Sequence, residues 1–200
     1  MTESTMTEGS RRADRREDLL AAAGRRFVAV GIRKTTMEDV AREAKAGKAT
    51  LYRHFRNKDA LIDDLLEREG ERFTRALEHG AADRDTSSER IEGAFLAGVR
   101  FFVDHPILTK GRDEEPGILL PRITAGGGPL VRRGLALFTE LIAEGVASGE
   151  LRRVDPAVAA EVVVRLILSY FAFPPMYLRV DDPEEAAAFA RALVAGALRA

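Results

Sequence analysis

Apolar residues recur along this 200-residue chain at three- and four-residue intervals almost from end to end, and that spacing restricts the fold more than any other feature. Positions 91, 94, 95, 98, 99, 102 and 103 show it most cleanly, as one stripe ended by Pro106. No stretch alternates apolar and polar residues between turn signals as a half-buried strand would. The spacing predicts an all-α fold. With 46% hydrophobic residues the chain can bury a substantial core, yet no run reaches the ~18 apolar residues of a membrane span. The first ten residues, MTESTMTEGS, have no apolar signal core, so a soluble, cytoplasmic protein is expected. Zero cysteines exclude disulfides, thiol catalysis and zinc–thiolate sites.

Capping residues divide the pattern into helices. The first is expected over roughly 13–30, with Leu20, Ala23 and Phe27 on one face and Gly31 free to take the left-handed terminal position. Thr36, with Asp39 three residues on, caps a short second helix that buries Val40 and Ala41 and ends near Ala44. A third begins near Gly47 and turns Leu51 and Phe55 inward. Asn57 caps a long fourth, to about His79, and Thr86 with Glu89 caps the striped fifth. Residues 106–130 read as short helical pieces and loops around Ile118, Leu119, Leu120 and Ile123. One more helix runs over about 130–148 to Gly149, and the pairs Asp155-Pro156 and Asp182-Pro183 start the last two.

The segment AVAAEVVVRLILSYFAF is apolar nearly all round, apart from Glu161 and Arg165. A helix apolar on every side must be covered on every side. The last helix adds a stripe of Phe189, Ala190, Leu193, Val194, Ala197 and Leu198, so a homodimer through the last two helices is expected. The alternative is a helix buried within a monomeric bundle.

Charge is uneven: residues 1–58 carry 14 Lys/Arg against 8 Asp/Glu, and residues 59–200 carry 17 against 24. The basic part holds a helix, a tight turn and a second helix, the geometry that places one helix in a DNA major groove. With Leu51 and Phe55 inward, Ala49 and Arg53 turn outward, flanked by Lys48 and Tyr52. Lys48 suits a guanine edge or a phosphate, Ala49 a thymine methyl, and Tyr52, Arg53 and His54 phosphate oxygens. Thr36 with the first amides of its helix forms another phosphate site, and Lys58 lies at the start of the fourth helix. Lys45 adds a positive charge in the turn. Arg11, Arg12, Arg15 and Arg16 suit a flexible arm over the DNA backbone or a minor groove.

Residues 16–62, above all GIRKTTMEDVAREAKAGKATLYRHFRNKDALI, resemble the N-terminal DNA-binding domain of the TetR/AcrR family of bacterial transcriptional regulators. Phe27, Gly31, Thr35-Thr36, Val40-Ala41, Ala44, Thr50-Leu51-Tyr52, Phe55, Lys58 and Leu61 carry the match. The resemblance implies a homodimer whose paired reading helices bind a palindromic operator, usually as a repressor. By motif position, Thr36, Lys48, Ala49, Thr50, Tyr52, His54 and Lys58 would contact DNA. It also implies a small ligand in the C-terminal domain that moves the fourth helix and spreads the two reading heads. One departure stands out: Lys45, Ala46 and Gly47 occupy positions where the family usually has Gly, an apolar residue and Ser. The expected organisation is a disordered tail over 1–10, a helix-turn-helix domain over 11–57 and a ligand-binding and dimerisation domain over 58–200.

A pocket for a small hydrophobic effector is expected among Phe95, Phe102, Ile107, Leu119, Leu120, Phe138, Leu166, Tyr170, Phe173, Met176 and Tyr177, each of which would serve equally as core. The cluster AFPPMY is the likeliest rim, because two prolines break the helix beside aromatic groups. Enzymatic chemistry is poorly supported. His54, His79 and His105 lack metal-site spacing, although His105 with Asp113 or Glu114 is a conceivable pair. Gly126–Gly128 lacks the residues of a phosphate loop, no nucleophile elbow is present, and nothing calls for a cofactor. Two rivals to a ligand-responsive regulator stand open: a protein of the same fold that has lost DNA recognition, and a helical enzyme using the C-terminal pocket.

Overall fold

The computed structural model describes residues 8–124, 127–173, 175–177 and 179–198, without the side chains of 8, 10, 11, 195 and 197. Among them ten helices form, with no strand: α1 (Glu8–Val30), α2 (Met37–Glu43), α3 (Lys48–His54), α4 (Lys58–Ala81), α5 (Ser87–Asp104), α6 (Pro106–Glu114), α7 (Pro116–Thr124), α8 (Pro129–Ser148), α9 (Pro156–Ala172) and α10 (Pro183–Ala197). Residues 1–7 of the expected tail lie outside the described residues, and 8–10 already belong to α1.

Local chemistry sets most of the boundaries. Thr36 and Thr86 both form complete capping boxes, with Asp39 and Glu89 respectively reaching back to the cap amide. Asn57 accepts from the Ala60 amide, and Asp155 and Asp182 each accept from the two amides that follow the first-turn proline. Gly149 closes α8 in the left-handed conformation. The Pro- and Gly-rich stretch gives more helix than expected: prolines 106 and 116 sit at helix starts, where a missing N–H costs nothing, so α6 and α7 are regular helices rather than loops. Of its expected core, Leu119 and Ile123 are buried, while Ile118 and Leu120 pack against the core from its edge.

One hydrophobic core runs from head to body, from Leu19, Phe27, Leu51 and Phe55 through Leu65 and Phe73 to Phe102, Phe138 and Phe171. α4 is the shared member, packed on α1 in the head and on α5 and α8 in the body. Where α4 meets α5 the backbones nearly touch: a Cβ on Gly93 would lie 2.0 Å from the Gly80 carbonyl oxygen. Larger residues there would push the helices apart.

The last two helices differ in how far the chain covers them, and the expectation for the second changes. α9 is not covered all round within the chain, because Val158 and Val162 are 60% and 52% exposed beside Glu161 and Arg165. The α10 stripe, by contrast, is consumed internally. Ala190, Val194 and Leu198 are buried, and Phe189 packs its ring 6.0 Å from Phe95 and 6.1 Å from Tyr170, because α10 folds back onto α5. Beyond its first turn its outward residues are Ala188, Arg191, Ala192 and Gly196, and the Ala197 side chain lies outside the described residues.

Candidate nucleic-acid interface

α2 enters the site through its cap. The Thr36 hydroxyl accepts from the Asp39 amide at 3.1 Å, and the Asp39 carboxylate accepts from the Thr36 amide at 3.0 Å. The Thr36 hydroxyl also donates to the Asp39 carboxylate at 2.7 Å, and that bond, followed by the one from the Thr36 amide, holds the Asp39 carboxyl below the usual carboxylate range. The turn then closes through its own backbone. Ala44 N–H donates to Val40 O at 2.9 Å, Ala46 N–H to Ala41 O at 2.8 Å, and Lys45 supplies the left-handed residue at φ 49°. A non-glycine residue there costs roughly 1 kcal/mol, too little to abolish the turn. Gly47 caps α3 without a side-chain bond.

α3 points Leu51 into the core, and Phe55 follows it as the buried C-terminal cap. Opposite, Lys48, Ala49, Tyr52 and Arg53 are exposed and Thr50 is half-buried. Tyr52 is 47% exposed and its hydroxyl has no hydrogen-bond partner among the described residues, so a donor stands ready at the surface. Lys48 lies 3.2 Å from Glu38, which tethers its ammonium over the start of α2. Glu38 is held below its ordinary range by its own backbone hydrogen bond and then by Lys48. Thr36 and Lys45 are exposed as well.

Three expected contributors point elsewhere. His54 is half-buried against Phe55, its Nε2 buried without a partner, and burial followed by the charges of Arg53, Arg12, Arg16 and Arg15 lowers its pKa. A half-buried ring whose charge is disfavoured keeps a single N–H donor and makes a weaker phosphate contact than an imidazolium. The Lys58 ammonium donates to the carbonyls of Arg33 at 3.0 Å and Thr35 at 2.8 Å, so two of its three donors hold the α1–α2 turn. The arginine arm is a further correction: its residues are helical, within α1. Arg15 donates to the Lys45 carbonyl at 3.1 Å, and Arg16 pairs with Asp64 at 2.6 Å with its guanidinium over Phe55. Acidic partners and the Phe55 face within reach of the first helix turns stabilise it further toward the N-terminus than apolar spacing alone foretold. Arg12 is exposed, and the Arg11 side chain lies outside the described residues.

The candidate pocket residues do not gather around one cavity. Phe95 and Leu166 line an apolar cleft of about 390 Å³ between α5, α9 and α10, together with Val158, Val162 and Leu193. Ile107 borders an open cleft of about 1080 Å³ between α1, α4 and α5, and Met176 and Tyr177 border a third of about 590 Å³. Phe102, Leu119 and Phe138 are core, Leu120 and Tyr170 pack at its edge, and Phe173 is exposed. Pro174 of AFPPMY and Gly126 of the triple glycine lie outside the described residues.

His105 turns out to be structural. Its Nδ1 accepts from the Leu108 amide at the start of α6, and Nε2 lies 2.9 Å from the fully buried Glu69, which also takes Arg68 and Arg72. Asp113 pairs instead with Arg112, and no group of three metal-ligating side chains occurs among the described residues. Sequence reasoning missed Glu115. Standing in an acidic run before a proline, it looks like a loop residue, yet it is buried against the α1–α2 turn.

Comparison with known proteins agrees with this geometry. Residues 19–65 match the family described as bacterial regulatory proteins, tetR family, and residues 129–200 match the AefR-like transcriptional repressor, C-terminal domain. The HTH-type transcriptional regulator YhgD of Bacillus subtilis (strain 168) is 28% identical over 163 residues, 78% of this chain and 82% of that protein. The HTH-type transcriptional repressor KstR2 of Rhodococcus jostii (strain RHA1) is 35% identical over 66 residues, 33% of this chain and 32% of its own length. A TetR-family regulator from Mesorhizobium loti has the same fold, with a TM-score of 0.73 over 95% of this chain and 99% of that one at 17% identity. A helix-turn-helix with an intact turn, an outward face of donors and family matches at both ends place this chain in the TetR family of bacterial transcriptional regulators.

Proposed function

We propose that the protein is a homodimeric repressor that leaves a palindromic operator when a small hydrophobic effector binds its C-terminal domain. The outward face of α3 carries this reading: Lys48, Ala49, Tyr52 and Arg53 stand exposed on a helix anchored by Leu51, within the basic part of the chain. The likeness to the repressor KstR2 and to the C-terminal domain of AefR-like transcriptional repressors favours repression over activation. Val158 and Val162 on α9, and the small residues Ala188, Ala192 and Gly196 on α10, are exposed and suit close packing against a second copy. The apolar cleft of about 390 Å³ next to them has a volume in the range of small-molecule sites and favours an uncharged ligand. An effector that prefers the spread arrangement of heads by about 3 kcal/mol would weaken operator binding on the order of a hundredfold.

The competing reading, a protein of this fold that no longer reads DNA, drew its motive from Lys45-Ala46-Gly47. That turn keeps its backbone hydrogen bonds, and the motive goes with them. A gel shift on the DNA flanking the protein's own gene, repeated across a salt series, tests the proposal. Binding at low salt that falls steeply as salt is added is expected. No shift at low salt would sink it.

A further inference from the structure

We infer that Glu115 is a positioning residue for DNA recognition, holding the angle at which the reading head leaves the body. The inference rests on the regulator reading above. From the junction of α6 and α7, one carboxylate oxygen accepts from the Ile32 amide at 2.6 Å and the other from the Arg33 amide at 2.8 Å, across more than eighty residues of chain. Both amides lie just past α1, in a turn where Gly31 adopts φ +92° and where a Cβ in its place would lie 3.5 Å from both carboxylate oxygens. Glu115 and Ile32 are buried, so the Ile32 amide has no water to turn to, while the Arg33 amide is partly buried.

The rest of the turn is bound as firmly. Lys58 takes the carbonyls of Arg33 and Thr35, and the Thr35 hydroxyl donates to the Gly31 carbonyl at 2.7 Å. Directly after it comes Thr36, the cap of α2, so the direction of this turn is the direction in which the helix-turn-helix departs. Glu115 is itself fixed on both sides, its amide donating to Gly111 O at 3.1 Å and its carbonyl accepting from Ile118 N at 2.9 Å. Arg122 of α7 pairs with Asp59 and Asp63 in the first two turns of α4. The carboxylate therefore moves with α6 and α7. A shift of those helices on the order of 1 Å away from the turn would carry both bonds beyond hydrogen-bond length. Glu115 is thus a point at which displacement in the body becomes a change of head angle.

The test uses the full chain carrying Glu115→Gln, with Glu115→Ala beside it. Glutamine keeps the size but offers only one oxygen, so one amide is released even if alanine fails to fold. Hydrogen exchange at the Ile32 and Arg33 amides should quicken at least tenfold for one or both, while amides within α3 keep their protection. Affinity for the DNA shifted by the wild type should fall at least tenfold with an unchanged slope against log salt, since no cation has been removed. Unchanged exchange at both amides would overturn the inference. So would a lowered melting temperature with full affinity in the folded protein, which would make Glu115 structural only. A wild type that shifts no DNA would instead sink the regulator reading, while the exchange data would still report whether Glu115 holds the turn.

Discussion

Lys45 stands in a backbone conformation that glycine adopts freely, and its φ of 49° tells how the turn accommodates the change. The side chain is exposed, and its carbonyl is held by Arg15. Replacing it by glycine removes steric strain of about 1 to 2 kcal/mol and returns up to about 1 kcal/mol through the greater freedom of the unfolded chain. Lys45→Gly should therefore stabilise by about 0.5 to 1 kcal/mol, read as a higher urea midpoint with an unchanged slope. If the same variant binds DNA more weakly, the ammonium contacts the backbone; if it binds better, the lysine is a tolerated defect. Glu69 behaves differently. Burial alone would raise its pKa, but hydrogen bonds and charge from His105 and Arg68 outweigh it and lower the value from 4.5 to about 2. A group with a lowered folded pKa contributes stability above its unfolded value and loses it as pH falls toward the folded one. The gap in melting temperature between the wild type and Glu69→Gln should be full at pH 6, close progressively below pH 4.5 and be smallest near pH 2. A constant gap would mean that the charge of Glu69 adds nothing.

At the scale of the element, caps decide where helices begin. α2 is only seven residues long, too short to persist by propensity, so its capping box and its packing through Met37, Val40 and Ala41 must supply its stability. Thr36→Ala should cost about 1 kcal/mol in chemical denaturation, with hydrogen exchange rising first in α2. Unaltered protection of the Asp39 amide would show that the cap bond is dispensable. Because caps act over three residues, the starts at Thr36, Asn57, Thr86, Asp155 and Asp182 were legible in the sequence, as was the inward direction of Leu51 and Phe55. Features joining distant residues were not. Glu115 meets Ile32 across 83 positions, and Arg112 spends one nitrogen on the Phe171 carbonyl across 59. Helical spacing showed that α10 had an apolar stripe but not that α5 would cover it. The same limit scattered the pocket residues, because spacing says which side chains avoid water and nothing about which of them meet. On the reading face, spacing turned Ala49 and Arg53 outward, where they are exposed, but could not tell that His54 is half-buried against Phe55 or that Lys58, at the start of α4, donates to the carbonyls of the α1–α2 turn.

For the whole molecule, the decisive question is what covers the open face of α9. Val158 and Val162 sit one helical turn apart there, and Val162→Arg tests the face with little risk to the subunit. In the monomer the position is half exposed, arginine is at least as good a helix former as valine, and surface changes of this kind fall within about 0.5 kcal/mol. In a two-fold interface the same change enters twice, burying two guanidinium groups without partners, each at a cost of several kcal/mol. The variant should sediment as a monomer with unchanged helicity and melting behaviour at low concentration. Its DNA binding should weaken by about a hundredfold or more, because two linked heads on one palindrome gain roughly 10² to 10⁴ over a single head. A dimeric Val162→Arg protein would move the interface off α9. A monomer that binds the operator as tightly as the wild type would show that one head suffices, and the release mechanism by spreading two heads would fall with it.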